Sequence, residues 1–325
     1  MEVDTNDVAA ILYSSGTTSL PKGIVITQGN QVFRAYSFAI EWSLNYNDVI
    51  LVTVPIYHSM GHLYAFYVSL LGCKLIITRN FQEENTLRLI QDYKVTSAFF
   101  VPTQYILMLE SPSFHQYDLS SLRLLVSAGA PMTEVTKKRV IENFNCKFTE
   151  FYGTTEVSPL AILRPKDVLR KSASVGQRPS FMVVRLLDKK GNEVAIGEEG
   201  EFATKGPSIF LEYYKNNEET EKARTPDGFH RTGDMEKLHL NRVCELLEID
   251  VPVIEGGLAY VGNGLLAAAV SNGGGFGQVG SAGRTPENFE EEILLVREAT
   301  ENPFGVNIPI VSIQTIHLIW KSLKA

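Results

Sequence analysis

Tyr13-Ser14-Ser15-Gly16-Thr17-Thr18-Ser19-Leu20-Pro21-Lys22-Gly23 brings five Ser/Thr hydroxyls, two glycines and one lysine into a single turn. Hydroxyls, backbone N–H groups and an ammonium gathered in this way can wrap a triphosphate. The order is not that of a Walker A loop, in which the lysine follows the second glycine and precedes Ser/Thr. Here Lys22 stands before Gly23, behind a proline that stiffens the turn. A solvated Ser/Thr-rich turn has the same composition, so the loop alone does not decide the chemistry. Three more segments carry groups that could complete a site: Pro55-Ile56-Tyr57-His58-Ser59-Met60-Gly61-His62, Tyr152-Gly153-Thr154-Thr155-Glu156 and Arg231-Thr232-Gly233-Asp234. Taken singly, Glu156 reads as an acid complementing a helix N-terminus and Asp234 as a turn residue. Tyr152 alone reads as core, and His58 as an ordinary hydrogen-bonded histidine.

The elements that must position these groups follow an α/β alternation. Val8 to Leu12, Val49 to Val54, Lys74 to Thr78, Val95 to Val101, Leu122 to Ser127 and Lys147 to Phe151 are short apolar runs that predict strands. Glu84 to Tyr93 carries Leu87 and Ile90 at helical spacing. After Ala128-Gly129-Ala130-Pro131, the residues Met132, Val135, Val140, Ile141 and Phe144 predict one apolar side of a helix. In open α/β sheets, ligands gather beyond the carboxyl ends of the strands. Four loops are expected there: the opening loop, Pro55 to His62, Ser127 to Pro131 and Tyr152 to Glu156. From Val183 to Lys205 short strands joined by polar turns predict a small β-rich subdomain. Thr225 to Asp234 reads as a turn-rich loop ending in an acid.

A composition break follows Leu238. Ten of the chain's 25 glycines lie between Gly256 and Gly283, but apolar runs interrupt them, which excludes a flexible linker. Val251 to Glu255, Phe276 to Val279 and Phe304 to Ile308 read as strands and Leu265 to Val270 as a helix. Thr285 caps a second helix, with Pro286 at its first position and Phe289, Ile293 and Val296 on one face. The order is βαβαβ, the opening of a parallel sheet or barrel.

A net charge of -7 supplies no broad basic field and argues against nucleic acid as a partner. Cys73, Cys146 and Cys244 lie too far apart for metal spacing and read as idle thiols in a reducing compartment. The acidic N-terminus lacks a signal-type apolar region and no stretch reaches membrane-span length, so a cytoplasmic protein with no transmembrane segment is expected.

The loop at 13–23 closely resembles the phosphate-binding signature of adenylate-forming enzymes, the acyl-CoA synthetase and luciferase superfamily. Tyr152-Gly153-Thr154-Thr155-Glu156 and Arg231-Thr232-Gly233-Asp234 resemble two further family motifs in the family's order. Gly200-Glu201-Phe202-Ala203-Thr204-Lys205-Gly206-Pro207 and Tyr213-Tyr214-Lys215-Asn216-Asn217 match the motif between them. The resemblance runs from the first residue to Leu238, with Ser19 standing where the family usually carries glycine. It implies an ATP- and Mg²⁺-dependent carboxylate–CoA ligase that forms an acyl-adenylate and then a thioester, with a small-molecule carboxylic acid, ATP and CoA as its partners.

By that resemblance Ser15, Gly16, Thr17, Thr18, Lys22 and Gly23 surround the phosphates, Thr155 serves the α-phosphate region and Glu156 is the magnesium ligand. Gly129, Ala130 and Pro131 offer backbone to adenine, Tyr152 stacks on its face beside Gly153, and Asp234 holds the ribose hydroxyls. His58 borders the carboxylate pocket. Lys22, His58, Thr155 and Glu156 are the expected catalytic groups. The family's C-terminal domain, which supplies a hinge arginine and an adenylation lysine, finds no counterpart after Asp234, and the part preceding the phosphate loop is also unmatched. Impaired catalysis is therefore expected.

From Asn241 to Ile310 the chain resembles the beginning of the nitronate monooxygenases, which are FMN-dependent TIM barrels. The resemblance rests on Pro252-Val253-Ile254-Glu255-Gly256-Gly257-Leu258, Ala267 to Asn272, Gly280 to Pro286 and Pro303 to Pro309. Glu255 and Leu258 replace that family's common Gln and Met, and its later phosphate-binding parts are unmatched, so no FMN site is expected. Asn272 and Asn307 are the residues that would face a flavin. The expected fold class is α/β: a partial adenylate-forming large domain followed by an incomplete TIM-barrel-like βαβαβ segment. Its expected divisions are an ATP-binding core at 1–180, a β-rich subdomain at 181–238, βα units at 241–310 and an unassigned tail at 311–325.

Overall fold

A computed structural model describes residues 2–14, 21–237, 246–249, 253–256 and 263–308. The chain forms two compact units, Met1–Val194 with Gly200–Glu236 and Ala195–Glu199 with Lys237–Ala325. In the first unit, β1 (Val8–Tyr13) runs antiparallel to β2 (Gly23–Thr27), and α1 (Gln28–Trp42) follows at once. Thr27 caps α1: its hydroxyl accepts from the Asn30 N–H while the Asn30 side chain accepts from the Thr27 N–H, a reciprocal capping box.

Next come β3 (Val49–Val52), α2 (Ser59–Leu71), β4 (Lys74–Ile77), α3 (Glu83–Tyr93), β5 (Ser97–Phe100) and α4 (Pro102–Glu110). After them lie β6 (Leu124–Ser127), α5 (Glu134–Phe144), β7 (Lys147–Thr154) and β8 (Ser158–Leu163). These strands make one six-stranded sheet in the order β4-β3-β5-β6-β7-β8, parallel except for β8, which turns back on β7.

Side-chain alternation divides the core between the two faces of this sheet. Leu51, Ala98, Phe100, Leu125 and Phe148 pack against Leu87 and Ile90 of α3, Tyr105 and Met108 of α4, and Val140 and Phe144 of α5. Ile50, Val52, Phe99, Val126 and Phe151 pack against Phe38 and Trp42 of α1 and Leu63, Tyr64 and Tyr67 of α2. Val135 does not share the apolar side expected of it: it is 71% exposed, because α5 begins only at Glu134 and turns that position away from the sheet. Cys73 and Cys146 are free thiols that burial pushes upward, Cys146 to about 12, so both stay protonated; Cys244 lies outside the described residues.

The β-rich part contains β9 (Val183–Leu187), β10 (Glu199–Lys205), β11 (Glu212–Tyr213), α6 (Asn217–Lys222) and β12 (His230–Lys237). The sheet order there is β12-β10-β9, whereas β11 joins β1 and β2. Arg231 to Asp234, read from the sequence as the end of a loop, instead belongs to strand β12. It is an edge strand, with β10 beside it on one side in the order β12-β10-β9.

In the second unit β13 (Gly277–Gly280) pairs in parallel with β14 (Phe304–Asn307), and helices Gly264–Asn272 and Pro286–Ala299 pack against them. Thr285 caps the second helix as expected and Phe289, Ile293 and Val296 are buried. Of the run Val251 to Glu255, only an isolated parallel bridge from Ile254 to Phe276 falls among the described residues. Asn272, expected to face a flavin, is engaged locally: its Nδ2 donates to the Ala299 carbonyl at 3.1 Å and its Oδ1 accepts from the Thr300 hydroxyl at 2.6 Å. The tail 311–325 lies outside the described residues.

Candidate active site

The carboxyl ends of β3, β6 and β7 open on a cavity of about 370 Å³, as the switch-point rule for α/β sheets requires. Ser14, His58, Gly129, Gly153, Thr155 and Glu156 line it, so four separate sequence motifs converge on one space. Gly129 has φ +90°, a backbone state that L side chains rarely adopt, and this lets the chain turn sharply off β6. Gly153 is needed for a different reason: a Cβ there would collide with the Ser158 carbonyl in the tight turn back to β8.

Two segments expected as loops have more structure. Ser59 to His62 form the first turn of α2, with His58 as its N-cap, the position left by an extended Pro55–His58 entry. Tyr152 to Thr154 continue β7 and pair with Ser158–Ala161, because the hairpin with β8 supplies partners that the sequence pattern did not reveal. His58 is exposed, as are Gly129, Ala130, Pro131 and Asp234.

Glu156 is half-buried, and its Oε1 accepts from the Tyr213 hydroxyl at 3.0 Å; burial, then that carboxylate, pushes the phenol upward. Tyr152 donates its hydroxyl to Asp234 Oδ2, which joins the expected adenine platform to the expected ribose acid. Burial, then that carboxylate, raises the Tyr152 phenol. Lys22 Nζ stands 2.6 Å from Glu219 Oε2 and 4.8 Å from the centre of the Tyr213 ring. Gly23 opens β2. Ser15, Gly16, Thr17 and Thr18 lie outside the described residues.

The structure adds three residues to which the sequence reading gave no role of their own: Gln31, Arg34 and His62. Arg34 is 3% exposed; its Nε donates to the Ser208 carbonyl at 2.8 Å and its Nη2 to the Glu156 carbonyl at 2.7 Å. Burial draws the guanidinium down to about 9, partly offset by Glu156, so it remains a cation at neutral pH. Gln31 and His62 are hydrogen-bonded through their Nε2 atoms, and burial followed by the Arg34 charge lowers the imidazole. Polar residues recurring at Gln28, Gln31, Arg34 and Ser37 were the available signal, because Gln31 and Arg34 share the buried helix side that also carries Phe38.

Comparison with known proteins decides the family. The AMP-binding enzyme family model matches residues 1–214. The chain belongs to the AMP-binding enzyme family. Among its relatives, "Probable 4-coumarate--CoA ligase 3" of Dictyostelium discoideum is 32% identical over 71% of this chain and 43% of the relative. Feruloyl-CoA synthase of Amycolatopsis sp is 31% identical over 72% of this chain and 48% of its own length. The chain thus spans less than half the length of these curated relatives.

Among solved structures of this family, the inhibitor-bound N-terminal domain of FACL13 from Mycobacterium tuberculosis superposes with a TM-score of 0.69 at 29% identity. The match covers 73% of this chain and 59% of that one. O-succinylbenzoate coenzyme A synthetase (MenE) from Bacillus subtilis, in complex with AMP, gives 0.67 at 25% identity over 73% and 48%. The α/β fold expected for the first part is therefore that of acyl-CoA synthetases. Residues 241–318 match a second family model, nitronate monooxygenase.

Proposed function

We propose that residues 1–238 are part of an ATP-dependent carboxylate–CoA ligase. The observation that carries this reading is the convergence of Ser14, His58, Gly129 and Gly153 to Glu156 on one cavity within a chain of the AMP-binding family. In the reaction an acid's carboxylate oxygen bonds to the α-phosphorus of ATP as the bond to pyrophosphate breaks. The sulfur of CoA then takes the acyl group and AMP leaves.

Lys22 and Ser14, with Ser15, Gly16, Thr17 and Thr18 between them in the sequence, receive the phosphates; Thr155 adds a hydroxyl at the α-phosphate. Gly129, Ala130 and Pro131 present backbone to adenine, Tyr152 and Gly153 bound its plane, Asp234 takes the ribose, and His58 borders the acid. Among the described residues no group of three His, Cys, Asp or Glu side chains could hold a metal by itself. Mg²⁺ carried in by nucleotide phosphates needs only one or two protein carboxylates, and Glu156 fits that requirement. When bound, it neutralises charge on the phosphate oxygens.

This reading includes a cytoplasmic setting, although the finding itself is narrower: no described helix is long and apolar enough to cross a membrane. It assigns no flavin chemistry to residues 241–310. Calorimetric titration of the purified chain with AMP and with Mg-ATP tests it, and binding of both is expected. Absence of heat with either nucleotide would overturn it.

A further inference from the structure

Arg34 is a buried cation whose hydrogen bonds go to neutral carbonyls, and among the described residues it forms no ion pair. A charge removed from water and left without a counter-charge is costly unless something anionic comes to it. The Glu156 charge offsets only part of that cost, and burial outweighs it. Arg34 nonetheless lines the cavity, beside Gln31, which is 1% exposed, and His62. With Gln31 Nε2 donating to His62 Nε2, the neutral ring carries its proton on Nδ1 and so keeps one donor of its own. Three buried or half-buried polar side chains thus face a space that has an apolar part to its wall, Leu12, Met60, Leu63 and Phe151, and a polar part formed by Ser14, His58, Thr155, Glu156 and Ser158. Behind them stands an aromatic cluster in which Phe38, Trp42, Tyr64 and Phe99 are closely packed, with ring centres 4.0 Å apart for Phe38–Trp42 and 5.7 Å for Tyr64–Phe99. A cavity of about 370 Å³ is at the small end for a ligand site, and nucleotide groups must share it.

We infer that Gln31, Arg34 and His62 determine acid specificity, and that the acid is short and carries a second carboxylate at its far end. The inference rests on the adenylate-forming reading and adds to it the chemical class of the acid. An alkyl tail would leave the Arg34 charge without an ion-pair partner, its hydrogen bonds going only to carbonyls, whereas a distal carboxylate supplies that counter-charge and accepts from the donors beside it.

The test uses two stable acyl-adenylate analogues, hexanoyl- and adipoyl-sulfamoyladenosine, which differ at the tail by a terminal carboxylate alone. Calorimetry on the full chain is expected to show the adipoyl probe binding about tenfold more tightly. In Gln31→Leu and His62→Leu, each checked for folding by thermal melt, that ratio is expected to fall toward one. The wild-type ratio decides the matter even if a variant fails to fold. Equal binding of the two probes by the wild type overturns the tail assignment and returns Arg34 to the adenylate phosphate, leaving the nucleotide reading intact. If neither probe nor AMP binds, the adenylate-forming reading fails and the specificity inference goes with it.

Discussion

Lys22 and Glu219, 197 residues apart in sequence, form an ion pair with Nζ 2.6 Å from Oε2. Both side chains are about one-third exposed, and the Lys22 hydrogen bond is the main cause holding the Glu219 carboxyl below the usual range. Asn216 orients the partner by capping α6: its side chain accepts from the Glu219 N–H at 3.2 Å. Any phosphate that recruits Lys22 must draw it away from this carboxylate.

Glu219→Gln should therefore tighten Mg-ATP binding, and Lys22→Met should weaken it. Exposed pairs contribute little, so the gain in Glu219→Gln is expected to reach about fivefold at most. Calorimetry in low salt would measure it. An ATP affinity unaltered by Glu219→Gln would show that the pair does not compete with the nucleotide.

Glu156→Ala separates metal from nucleotide. If Glu156 takes Mg²⁺, the variant should lose about tenfold in Mg-ATP affinity while AMP binding changes much less. Tyr213→Phe, which removes the hydroxyl that donates to Glu156, should leave that difference in place. Equal losses for both ligands would contradict the metal assignment.

Arg34 also has a measurable structural role. It ties the turn after β7 to the segment before β11 through the Glu156 and Ser208 carbonyls. Arg34→Met removes both donors and should cost about 2–4 kcal/mol in urea unfolding, because buried acceptors are stranded. Methionine fills much of the volume, so a cavity contributes little. A loss under about 0.5 kcal/mol would mean that water replaces the guanidinium without penalty.

Stability should fall on mild acidification. His230 is 3% exposed, and burial lowers its imidazole below the ordinary value, opposed by Glu156 and Glu201 and assisted by Arg224; His62 is lowered by burial and Arg34. With a folded-state pKa below the unfolded one, the unfolded chain binds more protons near and below pH 6.5. The contribution is complete above that value and is lost as pH falls through the folded pKa. Melting temperature should be lower at pH 5.5 than at pH 7.5, and the gap should narrow in His230→Gln. An undiminished gap in that variant would place the titrating group elsewhere.

The parallel strands were legible because both of their faces are buried, which writes them as short apolar runs such as Leu124–Ser127. The Thr285-Pro286 helix start was legible because capping is local. Legibility failed where the partner is distant in sequence. Tyr152 to Thr154 belong to a strand only because Ser158–Ala161 return beside them, and Arg231 to Asp234 because β10 pairs with them. Arg34 was missed for a related reason: an arginine on an amphipathic helix reads as solvated until the carbonyls of residues 156 and 208 arrive to bury it. His58, Thr155 and Glu156 line one cavity, and the pairing of Lys22 with Glu219 had no local signal.

If residues 1–238 act in the proposed ligase with no further domain joined to them, catalysis should be slow. The matched region covers 43% of one curated relative and 48% of another. The family resemblance places a hinge arginine and an adenylation lysine in a C-terminal domain beyond that region. Loss of one positioned transition-state donor typically reduces rate by about 10²- to 10³-fold, and an unclosed site leaves an adenylate open to water. Acyl-CoA formation is therefore expected at least about 10²-fold below that of a full-length relative, even where Mg-ATP binds. Lys237, at the end of β12, and Arg242 are the cations nearest in sequence that could substitute, but orientation matters more than charge in such a role. Pyrophosphate release and thioester formation should be assayed separately, with a full-length relative as reference. Turnover equal to the reference, and retained in Lys237→Ala and Arg242→Ala, would show that residues 1–238 complete the site without either cation.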